Sequence, residues 1–248
     1  SRANQIDKIK LNDIAKSSRV YPYIRFEQKK KIYSNVLEVE NLSKKYDKLT
    51  VLDKVNLSIE VADRVAILGA NGIGKSTLLK CLMEESFRDS GDVNWAMNAD
   101  IGYFAQDSDE KIDSNLSLID WMTQWSDGSH DQQKIRSILG RLLFSKDNIY
   151  KSINVLSGGE KRRMLFGKMM LQHPNVIIMD EPTNHLDMES IESLNSALSL
   201  YDGTIIFSSH DREFISSLAT RILELKPDRI FEHSNIESNS LEAIEIDK

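Results

Sequence analysis

The chain has 248 residues, 40% of them hydrophobic and 28% charged, with a formal net charge of −6 at pH 7. This length and composition predict a globular protein with one large core, or one core with a smaller subdomain attached. No apolar run approaches the roughly 20 residues that span a bilayer and no charged-then-apolar leader starts the chain, so we expect no membrane insertion. The single cysteine, Cys81, excludes an internal disulfide and a cysteine-rich zinc site, and it fits a reducing, cytoplasmic environment.

The start of the chain is basic, whereas the remainder is acidic. Residues 1–32 carry a net charge of +6 and the other residues a net charge of −12. Apolar spacing predicts a helix over residues 3–17, and Pro22 then ends any helix, so we expect a connector that leads into a domain starting near Tyr33. A basic arm favours a polyanionic partner, but from charge alone a solvated helix with no partner is an equally good interpretation. Because the chain begins without methionine in a helical pattern, we expect it to be part of a longer protein.

The domain over residues 33–248 alternates strands with helices, which predicts an α/β fold. Continuous apolar runs at residues 175–179 and 204–207 are typical of central parallel strands that are covered on both faces. Other strands are predicted at residues 36–39, 51–59, 64–68 and 100–104. Residues 107–172 are predicted to hold a small helical subdomain, since their apolar residues have helical spacing. Its expected core is Trp121, Trp125, Ile135, Leu139, Leu142 and Leu143, and that spacing favours core packing over a base-stacking platform.

Residues 69–76, with the sequence GANGIGKS, match the spacing of a phosphate-binding P-loop, G-x-x-x-x-G-K-[ST]. The glycines allow backbone N–H groups to point at phosphates, Lys75 can reach the β and γ phosphates, and the Ser76 hydroxyl can hold Mg²⁺. A predicted strand precedes the loop, and a helix at 76–83 follows with its positive end toward the same anion. We therefore expect a nucleoside triphosphate and Mg²⁺ as cofactors. The expected nucleotide-binding residues of this stretch are Gly69, Asn71, Gly72, Gly74, Lys75, Ser76 and Thr77.

Two carboxylates follow the apolar strand at residues 175–179. Asp180 and Glu181 should lie at the carboxyl edge of the sheet, where α/β proteins bind their ligands. We expect Asp180 to hold Mg²⁺, directly or through water, and Glu181 to orient or deprotonate the water that attacks the γ phosphate. The alternative, in which both acids simply end a strand, is weakened by the P-loop in the same chain.

Residues 156–160, with the sequence LSGGE, resemble the signature motif of ABC ATPases. Other residues follow in that family's order: Tyr46 resembles the aromatic that stacks on adenine, Gln106 the Q-loop glutamine, residues 186–187 the D-loop, and His210 the switch histidine. The resemblance implies an ABC-type P-loop domain with a mixed sheet core and a helical subdomain that hydrolyses ATP. It implies catalytic roles for Glu181, His210 and Gln106, and it implies Mg²⁺ contacts for Ser76, Gln106 and Asp180.

The signature also predicts a partner domain. Ser157 and Gly159 open a helix whose positive end can face a γ phosphate. A single domain cannot fold that end onto its own P-loop, and ABC ATPases complete their two sites head-to-tail between two domains. We therefore expect Ser157 and Gly159 to serve a second nucleotide, held by another ABC domain of the same parent chain or by a second copy.

Residues 181–187 (EPTNHLD) and 209–214 (SHDREF) resemble the ABC-F family of soluble twin-domain proteins. The basic segment at residues 2–25 resembles the returning arm of their interdomain linker, and residues 137–144 and 187–194 resemble one branch of the family in particular. This resemblance implies binding in the ribosomal tRNA exit site, with the linker touching tRNA. For His185 we favour a structural role in the D-loop over a ligand role, since no second metal-type residue accompanies it beyond Asp187.

Three other functions stay open from the residues. An ATPase subunit of an ABC transporter would need a groove near Gln106 for a membrane partner. A DNA-repair or chromosome ATPase would usually separate the P-loop from Asp180 by a long coiled coil or a zinc insertion, whereas only a compact helical region lies between them here. A nucleotide-binding regulator with little turnover is disfavoured by Glu181 and His210.

Overall fold

The computed structural model describes residues 20–84, 86–107, 112, 114–126, 128, 132–145, 147–227 and 229–233. The helix predicted over residues 3–17 lies outside the described residues. The strands are β1 (Leu37–Tyr46), β2 (Leu49–Ile59), β3 (Arg64–Leu68), β4 (Ser90–Trp95), β5 (Ile101–Phe104), β6 (Val176–Asp180), β7 (Thr204–Ser208), β8 (Arg221–Leu225) and β9 (Ile230–His233). The helices are α1 (Lys75–Leu82), α2 (Leu118–Thr123), α3 (Gln132–Arg141), α4 (Gly158–Gln172), α5 (Met188–Ser199) and α6 (Arg212–Leu218). Two short 3₁₀ helices, Asn148–Tyr150 and Ile153–Val155, lie between α3 and α4.

The strands form two sheets, which confirms the predicted α/β fold with a mixed sheet. The larger sheet has the order β5-β6-β7-β3-β8-β9, and its strands are parallel except for the antiparallel pair β8–β9. Every residue of β6 and β7 is buried, as expected for central parallel strands. The smaller sheet is antiparallel, with the order β2-β1-β4.

The strand order of the larger sheet places the functional segments together. Strands β6, β7 and β3 are neighbours and run parallel, so their carboxyl ends lie at one edge. The P-loop follows β3, Asp180 ends β6, and His210 comes two residues after β7. Three segments that are far apart in the chain therefore meet at the edge where α/β sheets bind ligands.

The helical subdomain is built from α2, α3 and α4. Trp121 is a buried core residue, and Trp125 is partly buried and packs against that core, with its ring edge-on to Trp121 and the ring centroids 5.7 Å apart. This arrangement agrees with core packing and not with a stacking platform. The prediction that Leu143 belongs to this core is wrong, because its side chain is 38% exposed. The chain reverses just after α3 with Leu143 at φ 69°, and this turn brings Phe144 into the buried position instead.

The connector at residues 20–32 has no helix or strand but is packed against the domain. Its backbone is tied to the body by hydrogen bonds from Tyr23 N to Arg141 O (2.7 Å) and from Lys29 N to His173 O (3.0 Å). Ile24 and Phe26 are buried in the main core cluster. The connector before the boundary predicted near Tyr33 is therefore in contact with the domain that follows it.

Within the described residues, no helix is both long enough and apolar enough to cross a membrane.

Candidate nucleotide-binding site

The P-loop occupies the turn between β3 and α1, and two of its glycines cannot carry a side chain. Gly69 has φ +144°, and a Cβ there would lie 2.7 Å from the carbonyl oxygen of Leu225. Gly74 has φ +119°, and its Cβ would lie 2.6 Å from Val51 Cγ1. The loop needs both the left-handed backbone and the missing side chain, because β2 and β8 press against it.

Lys75 points back into the loop that precedes it. Its Nζ donates hydrogen bonds to Gly69 O (2.7 Å) and Ala70 O (3.2 Å), and the side chain is buried. Burial lowers the pKa of the Lys75 ammonium, while Glu181 and Asp180 act in the opposite direction. The ammonium thus sits among acceptors that a phosphate oxygen can replace.

Asp180 is held by the neighbouring strand and keeps one oxygen available. Its Oδ1 accepts a hydrogen bond from Ser208 Oγ at 2.6 Å. Its Oδ2 is buried and accepts no hydrogen bond from the described residues. A buried carboxylate oxygen without a donor is the kind of ligand that Mg²⁺ prefers, so the residues present fit the metal.

Glu181 and His210 are in close contact, and burial favours the neutral form of each side chain. Burial, reinforced by Asp180 and opposed by Lys75, raises the pKa of Glu181 to about 7. Burial and the Lys75 charge lower the pKa of His210. Glu181 Oε1 lies 3.1 Å from His210 Nε2, and Glu181 Oε2 accepts from the backbone N of His210 at 3.3 Å. The backbone N–H of His210 is thus the hydrogen-bond donor that holds the Glu181 carboxyl group, and the imidazole lies close beside it.

These side chains surround one cleft of about 210 Å³. It brings together ten of the predicted residues: Asn71, Gly72, Gly74, Lys75, Ser76, Thr77, Gln106, Asp180, Glu181 and His210. A larger cavity of about 910 Å³ lies between the connector and α5, away from all of these residues. The smaller cleft is the functional candidate, because it combines the P-loop with the carboxylates and the histidine.

Four predicted residues do not line this cleft, although they are described: Gly69, Tyr46, Ser157 and Gly159. Tyr46 ends β1 with 48% of its surface exposed, and its Oη lies 3.3 Å from Ser86 Oγ. Ser157 caps α4 through a reciprocal capping box with Glu160. A Cβ on Gly159 would lie 3.2 Å from the carbonyl oxygen of His185. The roles predicted for these four residues, like those predicted for the ten residues of the cleft, stay predictions.

Two residues near the cleft were missed by the sequence analysis. Ser208 donates to Asp180 and accepts from the backbone N of Glu181 at 3.1 Å. Its position as the last residue of an apolar strand could have indicated it. Arg162 donates to the backbone carbonyls of Gln106 and Glu181. Every residue has a backbone carbonyl, so the sequence does not indicate which of them accept a hydrogen bond from Arg162.

The family model described as ABC transporter matches residues 52–184, which is more than half of the chain. The chain therefore belongs to the ABC family, whose ATP-binding domains are ATPases, and its relatives place it with the ABC-F type. The fold class and the predicted ATPase activity are thereby confirmed.

Its relatives are similar over most of its length. It is 60% identical over 234 residues to the ATP-binding protein YbiT of Escherichia coli O157:H7, covering 94% of this chain and 44% of YbiT. It is 36% identical over 204 residues to ABC transporter F family member 5 of Arabidopsis thaliana, covering 82% of this chain and 29% of that protein. The chain thus spans less than half the length of these relatives.

A solved structure of a metal-chelate type ABC transporter, in an inward-facing conformation, superposes with a TM-score of 0.68 at 25% identity. The match covers 86% of this chain and 89% of that chain. The ABC fold therefore extends over most of the described residues.

Proposed function

We propose that this chain is one ATP-hydrolysing half of a two-domain ABC-F protein that binds the ribosome and regulates translation. The observation that carries the ATPase part is the single cleft in which the P-loop, Asp180, Glu181 and His210 meet. The ribosomal part is supported by the ABC-F relatives and by the basic sequence of residues 1–32.

In this proposal the P-loop and Lys75 bind the phosphates of ATP. Ser76, Gln106 and Asp180 would hold Mg²⁺, which supplies charge neutralisation at the phosphates when it is bound. Tyr46 would stack on adenine from the end of β1.

Glu181 orients the attacking water and accepts its proton, because its pKa of about 7 suits a group that exchanges protons near neutral pH. His210 holds the Glu181 carboxyl group through its backbone N–H at 3.3 Å, and its imidazole lies 3.1 Å from the other carboxyl oxygen. Gln106 lines the same cleft and contributes a polar side chain toward the water and the metal.

The partner in hydrolysis would be a second ABC domain. Ser157 and Gly159 lie outside the cleft of their own domain, which supports their use at the nucleotide of a partner domain. The length of YbiT, of which this chain covers 44%, leaves room for such a domain in one parent chain.

The test is co-sedimentation of the full-length parent with ribosomes in ATP and in ADP. The parent carries Glu181→Gln and the equivalent change in its other domain, so that ATP is bound but not hydrolysed. We expect retention on ribosomes in ATP and not in ADP. A folded protein that binds ATP and sediments with ribosomes in neither nucleotide would contradict the ribosomal role and favour a transporter ATPase subunit.

A further inference from the structure

Arg162 is a charged side chain enclosed in the interior of the domain. It lies on α4, five residues after Ser157, and only 1% of its surface is exposed. A guanidinium group keeps its charge at every physiological pH, and its burial is unfavourable unless its N–H groups find acceptors. The identity of those acceptors therefore indicates what the side chain does.

Two of the acceptors belong to the catalytic segments. Arg162 Nη2 donates to the carbonyl oxygen of Gln106 at 3.0 Å, and Nη1 donates to the carbonyl oxygen of Glu181 at 3.3 Å. Gln106 follows β5 and Glu181 follows β6, and these strands are adjacent. The two N–H donors of the planar guanidinium group, here called the fork, therefore join the two loops that follow these strands. The fixed geometry of the guanidinium sets the spacing between these loops.

Aromatic packing fixes the fork itself. The Arg162 Cζ atom lies 5.5 Å from the centroid of the Phe104 ring. Phe104 in turn stacks on Phe166 with ring centroids 5.2 Å apart and planes 18° apart. Phe166 lies one turn along α4 from Arg162, and Phe104 comes two residues before Gln106, so the guanidinium cannot move without disturbing both elements.

The backbone at Glu181 needs such support. Glu181 has φ 49°, a left-handed conformation that is unfavourable for a residue with a side chain. Its N–H donates to Ser208, and its carbonyl oxygen accepts from Arg162. Ser208 and Arg162 thus hold opposite sides of the residue whose carboxyl group faces the cleft.

We infer that Arg162 is a positioning residue for ATP hydrolysis, which keeps the backbones of Gln106 and Glu181 at a fixed spacing without touching the nucleotide. The inference rests on the site proposed above. Arg162 does not line the cleft, so its loss should change the rate of the chemical step more than the binding of ATP.

The test uses the full-length parent in which the catalytic glutamate of the other domain is replaced by glutamine, so that turnover reports the Glu181 site. Arg162→Met removes the guanidinium group and its N–H donors but keeps an unbranched apolar side chain at this buried position. We expect kcat to fall roughly ten- to hundredfold, as for other small displacements of catalytic groups, with the affinity for ATP within about twofold. Arg162→Lys retains the charge but not the fork, and its kcat should lie between those of Arg162→Met and the parent.

The matched control is Lys161→Met, on the neighbouring residue of α4. Lys161 also donates to a backbone carbonyl, that of Ile112 at 3.3 Å, but this acceptor is not part of the site. We expect its kcat to equal that of the parent. A folded Arg162→Met protein with unchanged kcat would overturn the inference; if this variant does not fold, an unchanged kcat in Arg162→Lys would do the same.

Glu181→Gln in the same background separates this inference from the proposed function. If Glu181→Gln stops turnover while the Arg162 variants do not slow it, only the positioning role fails. If Glu181→Gln leaves turnover unchanged, the proposed site itself is wrong.

Discussion

Glu181 is a carboxylic acid whose surroundings favour its neutral form. It is 4% exposed, and burial is the largest cause of the rise of its pKa to about 7, with the adjacent Asp180 acting in the same direction. In the unfolded chain a glutamate titrates near 4.5. The nucleotide-free site therefore binds a proton between these two pH values that the unfolded chain has released.

This proton gives the stability of the nucleotide-free protein a predictable pH dependence. Between about pH 4.5 and 7 the folded state binds more protons at Glu181 than the unfolded state does, so the free energy of unfolding falls as the pH rises. Glu181→Gln removes this contribution. The free energy of unfolding of the variant minus that of the wild-type protein should therefore increase from pH 5 to pH 8, by at most about 3 kcal/mol.

Urea unfolding at pH 5 and pH 8 measures this difference. Glu192→Gln, which changes the same chemical group on the exposed side of α5, serves as the control and should show no such dependence. An equal stability difference between Glu181→Gln and wild type at both pH values would contradict the raised pKa.

At the scale of elements, the P-loop depends on contacts with strands that are distant in sequence. Gly74→Ala would place a methyl group 2.6 Å from Val51 Cγ1 at a backbone φ of +119°. We expect loss of stability of about 1–3 kcal/mol and weaker ATP binding, because the loop must shift to relieve both conflicts.

Gly140→Ala is the matched control for this change. Gly140 lies in α3, and a Cβ there meets no atom within 4 Å. Alanine should raise the free energy of unfolding by about 0.5–1 kcal/mol through its higher helix propensity. Thermal unfolding and ATP titration of both variants check the pair, and a Gly74→Ala protein that behaves like Gly140→Ala would refute the packing argument.

Elements with strong local patterns were predictable from the sequence. The fully buried strands β3, β6 and β7 are continuous apolar runs, and the P-loop carries its own spacing. Strand β4 was missed because its sequence SGDVNW has few strand-forming residues, and its partner β1 lies about 50 residues away. Leu143 was misplaced because helical spacing does not reveal where a helix ends.

The candidate site was predictable where its residues belong to motifs. The cleft contains ten of the predicted residues. Ser208 and Arg162 were not found, since their contacts are long-range: Ser208 lies 28 residues from Asp180, and Arg162 lies 56 residues from Gln106. Such contacts are set by the strand order and not by a local pattern.

At the scale of the whole molecule, charge is separated between an arm and a body. Residues 1–32 carry a net +6 within a chain of net −6. If the arm contacts RNA, neutralising Lys8, Lys10, Lys16 and Arg19 should weaken ribosome association by the full-length parent and lower its salt slope by up to about 4.

Neutralising four exposed basic residues of the body, Lys45, Lys48, Lys54 and Lys226, is the charge-matched control. We expect this control to retain the salt dependence of the wild-type protein. Sedimentation with ribosomes over a range of salt concentrations measures both slopes, and an unchanged slope in the arm variant would make the arm a spacer.

The central claim is that the cleft between the P-loop and Glu181 hydrolyses ATP. The most direct measurement is ATP affinity and turnover of the full-length parent with and without Glu181→Gln, after the other site has been disabled. We expect unchanged ATP binding and loss of turnover, because the P-loop stays intact while the group that activates water is gone. Turnover that persists in a variant that binds ATP normally would contradict the assignment of Glu181 and of the site around it.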